Sequence, residues 1–474
     1  MKKIFKSQIS IFMVLVLAIS TLVLSGCSRK PKGAGDDTAL SEGYTEEEEN
    51  ITSSTEYGVV SGNYEAKKAF VIWTYNEELK IILDKVYKTG HEKNYKRIVV
   101  VNINDEDSYG NKLNTALLDP KSDFYPDMIV FNTDNAKKYV DDERIIPLSK
   151  SYVSDTDLVK SFEYLKSIGT DSKGQEKIAF FQANPGSIQI RADLCAKYLK
   201  TTEPAELQER YFSSWNKIKE TADTVYKASN RKCKLFAGYE DLLEIACGSK
   251  KATWLDENNS LVEDSAFKGF ESAVLGMLDS KTIYKTETYS DEWKSLMEGN
   301  GTTTDAAMCY VGNPIFTKWL LPEGTFKNNT ILVPGPEYFY MNSQGLAVTE
   351  KCSDKKFAGK LIKALTVDED EGQKIYDYNY TFVNNTSVID NILVNKSSSY
   401  NENIYSESNE NYIKLYSRIA DHIATPNTGV MDKEIKGLYR NLLNQYADKK
   451  IASRDEFKSN FKSDVASMLS RMNS

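Results

Sequence analysis

Three short apolar runs alternate with helical patterns near the start of the folded part of the chain. The runs are Ala69–Trp73, Ile98–Val101 and Met128–Phe131, each continuous and rich in branched residues. Such runs are typical of strands that are buried on both faces. Apolar residues at helical spacing follow each run, the last group ending near Val140. This alternation predicts an α/β fold around a parallel sheet with helices on its faces.

Polar and aromatic residues stand where the first and third of these strands end. In parallel sheets, ligands bind outside the carboxyl ends of the strands. Trp and Tyr offer flat apolar faces with a polar edge, and Asn and Glu offer hydrogen-bonding groups. Trp73 could instead lie in the core, with Asn76 only capping a helix. The candidate ligand-binding residues at this edge are Trp73, Tyr75, Asn76, Glu77, Asn132 and Asp134.

The N-terminus has the order of a secretory signal. Lys2, Lys3 and Lys6 precede an apolar run over Ile9–Leu24, which is shorter than the ~20 residues that cross a bilayer. Leu-Ser-Gly-Cys27 then resembles a bacterial lipobox. That resemblance implies that residues 1–26 are removed and that Cys27 carries the acyl chains of a membrane anchor. An uncleaved apolar helix is the alternative.

The segment after Cys27 has the composition of a tether. Residues 27–65 hold few large apolar side chains and include the acidic run Glu46–Glu49. Such a segment buries too little surface to offset its ordering entropy. We therefore expect a disordered spacer, although the acidic run could also bind a basic partner.

Composition limits the function classes. The 474 residues suit two or three domains, and the net charge of −8 comes from 60 basic and 68 acidic residues that are well mixed. No basic block follows the signal, so we expect no nucleic-acid partner. His91 and His422 are the only histidines, so the sequence gives little support for a His-based zinc site or for Ser-His-Asp catalysis. We expect no metal, no cofactor and no catalytic residue, while carboxylate pairs suited to glycoside hydrolysis remain open.

The cysteines after Cys27 do not indicate a disulfide framework. They are odd in number and have no CxxC spacing. We expect buried thiols. A bridge between Cys233 and Cys247 is the alternative.

Several further segments carry a resemblance to a known family. In order and spacing they are similar to bacterial extracellular solute-binding proteins, in particular the carbohydrate-binding lipoproteins of ABC importers (the maltose-binding-protein-like family). The resemblance covers nearly all of the chain after the spacer. The segments are Phe70–Glu78, Pro126–Phe131, Phe180–Gly186, Arg191–Leu194, Ser214–Ile218, Gly238–Leu242, Ala307–Pro314 and Gly345–Thr349.

The resemblance implies a two-lobed periplasmic-binding-protein fold of the two-crossing type (type II), with a ligand cleft between the lobes. The first lobe would comprise residues 66–182 and 338–384, and the second residues 183–337 and 385–474. Closure around a ligand would be a hinge motion. The expected partners are a carbohydrate, the permease of an ABC transporter and the cell membrane through Cys27, with the protein a monomer on the extracellular face.

The resemblance also adds site candidates from the second lobe. In related sequences a Gly-Tyr-x-Asp segment and a following Trp border the cleft. The segment Tyr310–Pro314 resembles one that ends in Trp in maltose-binding relatives, but Ile315 and Phe316 follow here, so Trp319 would replace it. The added candidates are Tyr239, Asp241, Trp254, Trp293, Tyr310, Asn313, Trp319 and Tyr340.

These observations favour a lipid-anchored carbohydrate receptor of an ABC importer. A surface hydrolase acting on glycans and a receptor for a peptide or another polar solute are the alternatives. An assay for sugar release separates the enzyme from the receptors.

Overall fold

The structure is a computed structural model that describes residues 52–55, 58–62, 69–122, 124–298, 306–320, 324–326, 329–379, 381–395 and 412–472. The predicted signal, Cys27 and most of the predicted tether lie outside these ranges. Within them, no helix combines the length and the apolar composition needed to cross a bilayer.

Within the described residues, eleven strands form two sheets. The strands are β1 Thr52–Ser54, β2 Val59–Ser61, β3 Phe70–Thr74, β4 Ile98–Asn102, β5 Met128–Asn132, β6 Ile178–Phe180, β7 Ser187–Arg191, β8 Cys233–Phe236, β9 Ala306–Gly312, β10 Thr330–Val333 and β11 Gln344–Val348.

The first sheet has seven strands in the order β1-β2-β4-β3-β5-β11-β6. Strand β3 pairs in parallel with β4 and β5, and every residue of these three strands is buried. This confirms the three buried parallel strands predicted from the apolar runs. Strand β11 returns late in the chain and lies antiparallel between β5 and β6.

The second sheet has four strands in the order β10-β7-β9-β8. Strand β9 is parallel to β8 and antiparallel to β7. The chain therefore passes from the first sheet to the second between β6 and β7, and returns between β10 and β11.

Eighteen α-helices cover the sheets within the described ranges. They are α1 Glu78–Ile82, α2 Glu92–Tyr95, α3 Glu106–Ala116, α4 Thr133–Val140, α5 Glu163–Gly169, α6 Ala192–Tyr198, α7 Pro204–Leu207, α8 Trp215–Ala228, α9 Tyr239–Gly248, α10 Ser265–Ser280, α11 Asp291–Glu298, α12 Pro314–Leu320, α13 Lys355–Thr366, α14 Glu369–Asn379, α15 Thr386–Asn395, α16 Tyr412–His422, α17 Asp432–Ala447 and α18 Arg454–Met472.

The two connections between the sheets run side by side as a short antiparallel ribbon. Pro185 is bridged to Tyr340, the N–H of Gly186 donates to the Phe339 carbonyl at 2.9 Å, and the N–H of Met341 donates to the Asn184 carbonyl at 2.8 Å. A Cβ on Gly186 would lie 2.0 Å from the Phe339 ring. The absence of a side chain at residue 186 therefore lets the two connections pack.

Two apolar cores are centred on the two sheets, and the first also takes in Ala307, Tyr310 and Leu332 of the second sheet. The first core surrounds β3, β4 and β5 and also takes in apolar residues of α15 and α16, such as Ile389 and Ile419. The second core surrounds β7, β8 and β9 and is covered by α8, α10, α17 and α18. The sequence-based limits of the two lobes remain a prediction.

Candidate ligand cleft between the lobes

A cavity of about 880 Å³ lies between the two lobes. The first lobe contributes the region of α3 and α4, and the second contributes α9, residues 287–289, the end of β9 and α17. The returning connection crosses the back of the cavity at Met341 and Asn342. Its volume is toward the upper end of the ~300–1,000 Å³ range of small-molecule sites. The polar lining residues are Asp105, Asn111, Asp134, Asn135, Lys138, Glu240, Asp241, Glu244, Glu287, Thr288, Asn313, Asn342, Lys433, Glu434, Lys436 and Arg440, with Tyr139 and Tyr289 as the aromatic ones.

The first-lobe wall begins where β5 ends and α4 starts. Asn132 caps α4, because its side chain accepts from the Asn135 N–H at 2.9 Å and the Asn135 side chain accepts from the Asn132 N–H at 3.0 Å. Reciprocal bonds of this kind fix the start of a helix. Asp134, a ligand-binding candidate from the sequence, lines the cavity from the first turn of α4.

Asp241 forms part of the second-lobe wall, in the first turn of α9. Its side chain is only 2% exposed, and it accepts hydrogen bonds from Thr288 Oγ1 at 3.1 Å and from Trp293 Nε1 at 3.3 Å. Burial raises the pKa of Asp241 to about 7, which the two hydrogen bonds only partly oppose. Asp241 is therefore a carboxyl group that can change protonation state near neutral pH.

Tyr289 is the exposed aromatic residue of the cavity. Its side chain is 55% exposed, and its ring centroid lies 5.4 Å from that of buried Trp293. Its φ is +68°, a region that a residue with a Cβ enters at a cost of roughly 1–2 kcal/mol. Residues held in such conformations are concentrated at functional sites. The fold thus supports a tyrosine ring on the cavity wall at the expense of backbone strain.

Ion pairs occupy much of the polar lining. The Lys436 Nζ lies 3.1 Å from Asp134 Oδ2 and 2.9 Å from Glu244 Oε2. Lys138 and Glu434 are paired at 3.5 Å. Because these charged groups are paired with one another, they are less available to a ligand. The lining also contains the neutral polar side chains of Asn111, Asn313 and Asn342.

Of the residues proposed from the sequence, the structure brings Asp134, Asp241 and Asn313 to the cavity. Asn313 also caps α12, accepting from the Phe316 N–H at 2.9 Å. A binding role for these three residues remains a prediction.

The structure places Trp73 in the core rather than in the cleft. It is 0% exposed, and its Nε1 donates to the Phe124 carbonyl at 2.8 Å. Trp73 is the fourth residue of a five-residue strand in which every residue is buried. The proposed stacking role of Trp73 is therefore corrected to a packing role.

The segment after Trp73 also lies outside the cavity lining. Tyr75 packs edge-on against Tyr109, with ring centroids 5.6 Å apart. Asn76 Oδ1 accepts from the Glu78 N–H at 3.1 Å, as a capping residue would, and Glu77 accepts from Asn102. These polar groups serve the start of α1 and the end of β4.

The other aromatic candidates are packing residues in this structure. Trp254 is buried between Phe267 and Phe461, Tyr239 hydrogen-bonds Asn444, Tyr340 stacks on Tyr164, and Trp293 packs on Tyr310. Trp293 still touches the site indirectly, through its bond to Asp241. Trp319 belongs to α12, but its side chain lies outside the part of the chain that the structure describes.

Sequence reasoning missed Tyr289, Asn342, Glu244 and Lys436. Tyr289 directly precedes the helix start Ser290–Asp291, a position that the hydrophobic pattern reads as a loop. Lys436 and Glu244 occupy polar positions of amphipathic helices, where a charge is the ordinary occupant. Only the approach of the two lobes gives these residues a common location.

Within the described ranges, Cys233 and Cys247 are thiols without a disulfide. In the same ranges no group of three His, Cys, Asp or Glu residues has an arrangement that could hold a metal ion.

Comparison with solved structures places the fold. A crystal structure of an extracellular solute-binding protein of family 1 matches 84% of this chain and 99% of its own, with a TM-score of 0.70 and 16% identity. The fold is that of the extracellular solute-binding proteins. The sugar-binding protein MalE of Xanthomonas citri matches with a TM-score of 0.64 and 14% identity, over 85% of this chain and 98% of its own.

Maltose-bound MalE3 of T. maritima also has the solute-binding fold, with a TM-score of 0.61 and 16% identity over 84% of this chain and 99% of its own. No family model and no curated protein matches the sequence. The two-lobed fold expected from the sequence resemblance is thus confirmed. A match at 11–16% identity shows the architecture alone.

Proposed function

We propose that this chain is a lipid-anchored extracellular solute-binding protein that captures a carbohydrate between its lobes and delivers it to an ABC transporter permease. The observation that carries the proposal is the inter-lobe cavity, which combines an exposed tyrosine ring with several side-chain amides and carboxylates. A sugar needs such a combination, because its ring has an apolar face and its edge carries hydroxyl groups.

In this proposal Tyr289 lies against the apolar face of one sugar ring. Asn111, Asn313 and Asn342 exchange hydrogen bonds with hydroxyls, and Asp241 accepts them. Asp134 can accept one only through Oδ1, because its Oδ2 is paired with Lys436. The mixture of amides and largely paired charges suits a neutral polar ligand better than a charged one. A peptide would need its termini or charged side chains matched, and seven of the eleven charged lining residues already have ion-pair partners within the protein.

The solved structures support the ligand class. MalE3 of T. maritima was solved with maltose, and the GacH receptor of Streptomyces glaucescens was solved with acarbose. A third neighbour, from B. animalis subsp. lactis, was solved with beta-1,6-galactobiose. These ligands are all oligosaccharides or their analogues, yet they differ in linkage. Carbohydrate capture is therefore the proposal, and the individual sugar is left to experiment.

A panel of oligosaccharides tests the ligand class directly. A ligand at a hundredfold excess over Kd stabilises the folded protein by about 2.7 kcal/mol, so a binder should raise the melting temperature measurably. Each hit would be followed by isothermal titration and by an assay for released sugar. Binding without release supports the receptor, whereas release supports the glycan hydrolase alternative. A panel of sugars with no hit, together with a hit among peptides, would overturn the carbohydrate proposal.

The anchor and the location form a second part of the proposal. The lipobox resemblance at Cys27 supports lipid attachment, and the fold supports work outside the cytoplasm together with a permease. Cells that express Cys27→Ala should release the protein or leave it unprocessed. The protein should not incorporate a palmitate analogue. The matched control is Ser28→Ala, which keeps the Cys and should stay acylated. An acylated membrane fraction in Cys27→Ala would contradict the anchor.

A further inference from the structure

Two helices from different lobes face each other along one edge of the cavity with complementary charges. Helix α4 presents Asp134 and Lys138, one turn apart, and α17 presents Glu434 and Lys436. The pairs that form are Lys436 with Asp134 at 3.1 Å and Lys138 with Glu434 at 3.5 Å. Both pairs join the first lobe to the second.

Lys436 is the better buried member of this arrangement. Its side chain is 11% exposed, compared with 40% for Lys138. Burial alone would lower the pKa of the Lys436 ammonium, but the carboxylates of Asp134 and Glu244 hold it well above its usual value. A buried ammonium is tolerated only when it is paired, because the desolvation of an unpaired charge is costly.

The two carboxylates around Lys436 have different relationships to the lobes. Glu244 belongs to α9 and lies 2.9 Å away in the same lobe as Lys436, so that contact survives if the lobes separate. Asp134 belongs to α4 in the other lobe, so the contact at 3.1 Å exists only when the lobes are together.

We propose that Lys436 is an inter-lobe latch: its bond to Asp134 holds the ligand-free protein in a closed conformation, while Glu244 keeps the ammonium in place. The latch is independent of the proposed carbohydrate function, since it acts before any ligand arrives. A conformation that is already closed improves the apparent affinity of a ligand that binds this form, because apparent Kd scales inversely with the fraction of competent molecules.

The geometry allows a matched test on one lysine. In the ligand-free mature protein, Asp134→Asn removes the ion pair of Lys436 that joins the two lobes. Glu244→Gln removes the ion pair of Lys436 that lies within the second lobe. We expect Asp134→Asn and Lys436→Met to increase the radius of gyration in X-ray scattering, as the ratio of closed to open molecules falls on the order of tenfold. We expect Glu244→Gln to leave the radius of gyration close to that of the unaltered protein.

Lys250→Met is the control for loss of a buried ion pair as such. Lys250 pairs with Asp432 at 2.6 Å, and its side chain is about as buried as that of Lys436, but both partners lie in the second lobe. Its substitution should lower the melting temperature without expanding the molecule. The latch is overturned if Asp134→Asn and Lys436→Met scatter like the unaltered protein, or if Glu244→Gln expands the molecule as much as Asp134→Asn. Because no sugar is present, this outcome is separate from the outcome of the carbohydrate screen.

Discussion

The indole of Trp293 donates a hydrogen bond to Oδ2 of Asp241 across 3.3 Å. Trp293 is fully buried, and Asp241 lies directly above it at the wall of the cleft. The bond joins a buried tryptophan of the second lobe to the proposed ligand site, and it holds a carboxyl group that is only 2% exposed. Such a carboxyl resists ionisation, because the charged form loses most of its hydration.

Asp241 should therefore make the stability of the protein depend on pH. Its pKa is about 7 in the folded state and 3.8 in its ordinary state, so between these values the folded protein keeps a proton that the unfolded chain releases. Asp241 thus favours folding most strongly below pH 4. This contribution is lost as pH rises to about 7, at up to about 1.4 kcal/mol per pH unit.

Asp241→Asn should remove that dependence and should be more stable than the unaltered protein at pH 8, relative to their difference at pH 4. Urea unfolding at pH 4, 5.5 and 8 measures it. Asp291→Asn, at a fully exposed carboxylate, is the control that should change little. A difference between Asp241→Asn and the unaltered protein that stays constant across these pH values would contradict the shifted pKa.

The extent to which the sequence predicted this structure depends on how local each signal is. Strands β3, β4 and β5 were predictable, because a short continuous apolar run is typical of a strand in a sheet that is buried on both faces. The same burial made Trp73 misleading as a site residue. Its position near the carboxyl end of a strand suggested a ligand, but the ring is fully buried and donates a hydrogen bond to the Phe124 carbonyl.

The cleft was predictable only in part, since it is made by two lobes that are distant in sequence. Asp134 was found because it follows a predicted strand, and Asp241 was found because its Gly-Tyr-x-Asp segment resembles one in related sequences. Tyr289 and Lys436 carry no local signal. The first stands in a loop and the second on a polar helix face, and only the packing of α4, α9 and α17 brings them to the cavity.

Tyr289→Asn should separate stability from binding. Asn tolerates positive φ better than Tyr, and more than half of the Tyr289 side chain is exposed, so the substitution should leave the free energy of unfolding unchanged or raise it by up to about 1 kcal/mol. Loss of the ring should weaken sugar binding by about tenfold or more. Isothermal titration with a sugar from the screen and urea unfolding give the two values.

Tyr152→Asn is the matched control for Tyr289→Asn. Tyr152 has φ +63° and a side chain that is 67% exposed, but it lies outside the cavity lining. It should show the same effect on stability and no effect on affinity. Equal sugar affinities for the unaltered protein, Tyr289→Asn and Tyr152→Asn would show that the Tyr289 ring does not bind the sugar.

Trp73→Ala should destabilise the protein strongly and leave its affinity for a sugar nearly intact at a temperature where it is folded. Removal of a buried Trp side chain costs about 3–5 kcal/mol, through lost transfer free energy and the cavity left behind. The bond to the Phe124 carbonyl is lost as well. Trp73→Phe should recover part of the stability. A weakened affinity with an unchanged melting temperature would instead return Trp73 to the ligand site.

The ribbon between the lobes should be sensitive to a single methyl group. A Cβ on Gly186 would lie 2.0 Å from the Phe339 ring, so Gly186→Ala forces the ring or the backbone aside at a cost of about 1–3 kcal/mol. Gly437→Ala is the control, because no heavy atom of another residue lies within 4 Å of its added Cβ and it stands inside α17. There the substitution should raise stability by up to about 1 kcal/mol, since Ala favours the helix.

Phe339→Leu combined with Gly186→Ala should recover part of the loss, because the smaller side chain relieves the overlap. Urea unfolding of the two single variants and the double variant measures this recovery as a coupling free energy. Additive losses in the double variant would mean that Gly186 and Phe339 do not constrain each other, and that the ribbon is held by its backbone hydrogen bonds alone.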